Sequence, residues 1–318
     1  MDIDVFSPRE LGTVFNALRT SLNPGGPLAL DEKVFLETYA GITGYALPPG
    51  GPMPIAARDV AIEGAHARKR LIQLCAIAAM LARPVRPASV AFVQELARHL
   101  GERDTVTDVL EALVKGRHLS IRMIAMRRAL RAMTKEAYRS EGAMGVVRLL
   151  GAMFLKASVN RDKLWNYKRL GLLPEGTLGR EYWKHLTQNG FGAPGEPGGI
   201  PESVAYHDVG HVLAGYDTTP QGEIQQGSFQ AGNRREDGFF FLQFVILQFH
   251  QGVKVSPATG AQTGCFDPRA VLWALHRGAQ CNVDITHQWD FWPLMALPLE
   301  EARARCGLLG RLPMALAA

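Results

Sequence analysis

Cysteine is scarce in this chain. Its 318 residues hold four, Cys75, Cys265, Cys281 and Cys306, far apart and with no Cys-x-x-Cys pair. That excludes a disulfide framework and a zinc ribbon, and it points to a reducing compartment with small buried thiols. Long apolar runs are missing as well. The longest uncharged ones, 71–82 and 239–249, fall short of the roughly 20 residues that a membrane-spanning helix needs. Strand signals are equally thin: no apolar–polar alternation is sustained, and no Asn-Gly turn lies between apolar runs. Neither sign of charge dominates. Thirty-five Lys and Arg against 30 Asp and Glu give a formal net charge of +5, which permits an anionic surface or ligand without requiring one. The acidic start, Met1-Asp2-Ile3-Asp4, resembles neither a signal nor a transit peptide. The expected location is cytoplasmic, or peripheral on the cytoplasmic face of the inner membrane.

What is present is ordinary globular usage, 47% hydrophobic and 20% charged. The length suits two domains at about 100–200 residues each. Helix signals recur throughout. Ser7-Pro8 with Glu10 makes a capping box, and the amphipathic segment 88–100 stops at Gly101. Asp267-Pro268 and Pro298-Leu299-Glu300-Glu301 open two more helices, the latter ending at Gly307. The expected fold class is all-α. It comprises a helical N-terminal module over 1–156 and a metal-binding domain over 157–318, with Gly190–Pro201 and Gly260–Pro268 as loops. Arg128, Arg131, Lys135 and Arg139 share one helix face, a solvated surface or an approach to anionic lipid. The stripe lacks interleaved aromatics, and no nucleic-acid partner is expected.

One stretch carries chemistry: Tyr206 to Glu223, YHDVGHVLAGYDTTPQGE. His207 and His211 are four apart, so on a helix both imidazoles lie on one face and can close on one divalent ion. Asp208 reaches the edge of that site. Gly215 is a natural C-cap, and Thr219-Pro220 restarts a helix whose first turn holds Glu223. The expected ligands are His207, Asp208, His211 and Glu223, and the ion is Zn²⁺ or Fe²⁺, with open positions for Lewis-acid chemistry. Zn²⁺ has no redox chemistry, so an oxidative reaction would need iron or an outside oxidant.

The run Phe239, Phe240, Phe241, Phe244 and Phe249 makes one helix apolar around most of its circumference. It is a buried core helix or, through Phe240 and Phe244, a wall for an isoprenoid tail. Trp289 and Trp292 are core aromatics, or at Trp289 a platform for an aromatic ring. Tyr182 and Trp183 read as core. His250 reads as a helix-end or surface residue, and His185, His276 and His287 as lone histidines outside the site.

His-Asp-x-x-His followed eleven residues later by Glu resembles the signature of the ubiquinone-biosynthesis Coq protein 4 family. The flanks agree. Leu173-Pro174-Glu175-Gly176-Thr177-Leu178-Gly179-Arg180-Glu181-Tyr182 is similar to the family's Pro-Glu-Gly-Thr segment. Arg277-Gly278, Trp289 to Trp292 and Pro298 to Arg303 follow its C-terminal pattern, so the resemblance spans roughly 165–307. It implies an all-α fold, a divalent metal on the four matching residues, and removal of the C1 carboxyl from a polyprenylated hydroxybenzoate, with oxidation of that carbon. The partners it implies are other quinone-biosynthesis enzymes and a membrane surface, and a homodimer is admitted. The family's charged, Arg-containing stretch ahead of the metal helix is replaced here by the Gly- and Pro-rich segment 195–203. The first half instead resembles the helical tellurite-resistance TerB-like domains. Two rivals remain at this point: a scaffold whose metal is structural, and a metal-dependent hydrolase.

Overall fold

The computed structural model describes residues 1–102, 105–128, 131, 161–197, 199–200, 202–234, 238–255, 259–286, 289–308 and 310. Side chains at 202–204 lie outside the description. The fold is all-α, as the sequence predicts, with 61% helix. Among the described residues the only extended pairings are the isolated bridges Thr177–Pro298 and Gln251–Thr263. The helices are α1 (Leu11–Leu22), α2 (Leu30–Thr43), α3 (Ala65–Leu81), α4 (Pro87–His99), α5 (Val106–Val114) and α6 (118–128). They continue with α7 (Arg161–Leu170), α8 (Leu178–Gln188), α9 (Glu202–Ala214), α10 (Pro220–Asn233), α11 (Gly238–Phe249), α12 (Pro268–Gln280) and α13 (Leu299–Arg305).

Local chemistry sets several helix ends. Glu10 accepts the Ser7 N–H and hydroxyl at 2.9 and 2.7 Å ahead of α1. The Asp267 carboxylate accepts the Arg269 N–H at 2.9 Å and caps α12. Helix α4 gives way to Gly101 and α13 to Gly307, at φ of 70° and 66°, the left-handed conformation that glycine adopts at no steric cost.

The chain divides into two compact units, and neither is continuous. One comprises 1–124, 219–280 and 309–318; the other comprises 125–218 and 281–308. Residues 156 and 157, where the sequence places its single boundary, lie outside the described ones. Contact groups α10, α11 and α12 with the first unit. There α12 packs on α2, and α10 packs along both α11 and α12. Glycine permits the tightest of these contacts. A Cβ at Gly232 would stand 2.0 Å from the Leu275 carbonyl oxygen, and one at Gly278 would stand 2.0 Å from that of Phe229. Only backbone without a side chain fits there.

The first unit's core is built on α3, buried from Leu71 to Leu81, against Phe15, Phe35 and Tyr39. Cys75, Cys281 and Cys306 are buried and Cys265 is half-buried, and none of the four is in a disulfide. Burial pushes the Cys75 thiol up to about 12 and the Cys306 thiol to about 11, so neither is a reactive thiolate at neutral pH. His250 follows α11 but is buried, not at the surface. Its Nε2 donates to the Leu81 carbonyl at 2.9 Å and its Nδ1 accepts the Phe266 N–H at 3.3 Å.

In the second unit, two distant segments of the chain are laced together by backbone. Leu178 N–H bonds Leu297 O at 2.9 Å, Gly179 N–H bonds Met295 O at 2.8 Å, and Leu299 N–H bonds Gly176 O at 2.9 Å. A Cβ on Gly179 would meet the Met295 carbonyl at 2.9 Å, so the close approach needs glycine. Aromatic contacts fill the unit: Tyr167 meets Tyr182 and Trp292 at ring-centroid distances of 6.2 and 5.0 Å. Phe291 meets Tyr206 and Trp289 at 5.6 and 6.0 Å. Tyr182 is wholly buried, as read from sequence.

Candidate metal centre

Helix α9 presents His207 and His211 one turn apart. Gly215 ends it at φ 76°, with its N–H bonded to the His211 carbonyl at 2.8 Å. The Thr219 hydroxyl then accepts the Gly222 N–H at 3.1 Å, and Pro220 takes the first helical position of α10. Glu223 follows in the first turn, its N–H on the Thr219 carbonyl at 2.7 Å. The continuous segment 207–223 thus delivers three donors. The ligand atoms of His207, His211 and Glu223 all lie within 4.8 Å of one another.

The donor set fits a divalent ion. The two Nε2 atoms are 3.0 Å apart, with the rings nearly perpendicular at 83°. That separation is close to the edge of a coordination shell whose metal–nitrogen bonds are about 2.1 Å. His211 is also oriented for the task. Its Nδ1 lies 3.1 Å from the Tyr216 carbonyl. A carbonyl only accepts, so Nδ1 carries a proton, and in the neutral ring that leaves the Nε2 lone pair for an ion. His211 is buried, while His207 and Glu223 are half-buried, so an ion there would be shielded yet reachable.

The three-residue group does not include Asp208. A helix turns about 100° per residue, so the side chain after His207 leaves in another direction. Asp208 is 4% exposed, a buried carboxylate beside the group. Phe240 and Phe244 are half-buried and face each other at 6.3 Å, while Trp289 packs on Phe291. On the same helix Phe239, Leu242, Ile246 and Phe249 are buried. His276 is half-buried beside Trp273 at 5.4 Å, and His287 lies outside the described residues.

Two residues that the sequence does not assign to the site neighbour it, one of them His185, which reads there as a lone histidine. His185 on α8 stacks over His211 with ring centroids 5.5 Å apart and planes 24° apart, and it meets Phe191 edge-on at 5.9 Å. Arg303 on α13 grips the end of α9. Its Nε donates to the Leu213 carbonyl at 2.7 Å and its Nη2 to that of Val212 at 3.1 Å, while its Nη1 pairs with Glu300. Helix C-termini expose unbonded carbonyls and carry partial negative charge, so a guanidinium there satisfies both. No spacing rule links either residue to the His207–His211 pair. No protein-family model matches the chain, and a search of curated proteins finds no similar sequence.

Proposed function

We propose that this chain is a metal-dependent enzyme of ubiquinone biosynthesis that removes the C1 carboxyl from a polyprenylated hydroxybenzoate at the cytoplasmic face of a membrane. The observation that carries this reading is the convergence of His207, His211 and Glu223 at donor distance. Two imidazoles and one carboxylate suit non-haem Fe²⁺, and they also accept Zn²⁺, with coordination positions left for another ligand. A bound divalent ion supplies Lewis acidity toward the substrate's carboxylate or phenolate oxygen.

The chain's own residues prepare that site. The Tyr216 carbonyl fixes the His211 tautomer, and Arg303 holds the end of the helix that carries both histidines. The half-buried rings of Phe240 and Phe244 offer apolar surface of the kind a prenyl chain buries. Order along the chain supports the resemblance too. The Pro-Glu-Gly-Thr and Pro-Leu-Glu-Glu segments that flank the metal motif pair through their backbones. No helix among the described residues is long and apolar enough to cross a membrane, so attachment would be peripheral. Loss of CO₂ with protonation of C1 balances without an oxidant; oxidation of that carbon needs a two-electron acceptor.

Deleting the gene and profiling quinone intermediates by mass spectrometry tests the reading. A carboxylated prenyl-phenol should accumulate, and wild type should clear it where Glu223→Ala does not. Clearance by Glu223→Ala would contradict an enzyme and favour a scaffold.

A further inference from the structure

Helix α6 shows two opposed faces. Inward, Ile121 is fully buried and packs with Val109, Leu247 and Val253. Outward, Leu119, Met123 and Met126 are 69%, 46% and 66% exposed. At helical pitch these three positions fall within roughly 60° of arc, one continuous apolar seam. The exposed Arg122 and Arg127 fall on opposite shoulders of that seam, and exposed Arg117 precedes it. From 112 to 131 the sequence contains no Asp or Glu.

We propose that this outer face of α6 docks on an anionic lipid bilayer, an inference that rests on the membrane location proposed above and supplies the surface that would make it. A helix lying in the plane of the interface buries an apolar seam at the acyl boundary and lets arginines on its shoulders reach the headgroup phosphates. The cations and the absence of acidic groups complement phosphatidylglycerol or cardiolipin. A second copy docked through the same face would bring like-charged shoulders together, which opposes that alternative. This seam differs from the arginine stripe read in the sequence. Arg128 of that stripe is half-buried, Arg131 is exposed, and Lys135 and Arg139 lie outside the described residues.

Vesicle flotation with the full chain tests the proposal. Wild type should float with phosphatidylcholine vesicles containing phosphatidylglycerol, stay behind with phosphatidylcholine alone, and be released by high salt. Arg122→Gln and Arg127→Gln should each weaken binding about fivefold, and Met123→Ser with Met126→Ser at least tenfold. All variants should keep the wild-type metal content and melting curve. Three results would overturn the proposal: equal binding to both vesicle types, binding unchanged by these substitutions, or no vesicle binding with a dimer in light scattering that the Met variants dissolve. Metal content and complementation are read separately, so failure of flotation leaves the catalytic reading intact, and loss of complementation leaves the docking surface intact.

Discussion

His211 is held from three sides before any ligand arrives. Its Nδ1 meets the Tyr216 carbonyl at 3.1 Å, its ring lies under His185, and the helix behind it is clamped by Arg303. Replacing Glu223 with Gln removes the one anionic donor of the group and should lower divalent-metal affinity at least tenfold. The metal-free melting temperature should barely move; isothermal titration and thermal melts read the two effects apart. His250 gives a pH prediction. Burial holds its imidazole below the usual range, and a second ring proton would face the Phe266 N–H donor. The unfolded chain takes up that proton near pH 6.5, whereas the folded one does so only at lower pH. Stability should therefore fall as pH drops below about 6.5 toward the folded value, and His250→Gln should flatten that dependence in melts between about pH 7 and 5. At this scale the histidine pair and Glu223 are legible in sequence, because four-residue spacing and a Thr-Pro restart are local signals. His185 and Arg303 are not, because their roles arise only when α8 and α13 pack against α9.

Among the elements, caps were the most readable feature. Thr219 before Pro220, Asp267 before Pro268 and Gly215 after α9 all stand where residue chemistry puts them. The contact of α10 with α12 was not readable, since a glycine in a helix does not announce which backbone it admits. Gly232→Ala drives a methyl into the Leu275 carbonyl and should cost about 3 kcal/mol or more in urea unfolding. Gly227→Ala should cost less, because the nearest atoms its methyl meets belong to the Val245 side chain, which can shift where a backbone carbonyl cannot. Arg303→Ala strips two carbonyls of a charged donor and should cost about 1.5–3 kcal/mol, with weaker metal binding alongside. Arg303→Lys should restore part of both, which a purely volumetric role would not predict.

For the whole molecule, the all-α class follows from recurring helix-cap signals together with the lack of period-two alternation and Asn-Gly hairpin turns. The division of the chain did not follow. Helices that are apolar on most sides, such as α3 and α11, declare that they are buried but not against what. Sequence order therefore does not convey that contact groups α10–α12 with the N-terminal helices. The central claim is that the segment 207–223 holds one transition-metal ion. Elemental analysis of protein purified without chelators tests it most directly. Near one equivalent of iron or zinc per chain is expected, absent from His207→Ala and Glu223→Ala proteins that still melt cooperatively. A wild type produced with ample iron and zinc that carries no stoichiometric ion, or variants that retain one, would contradict the account.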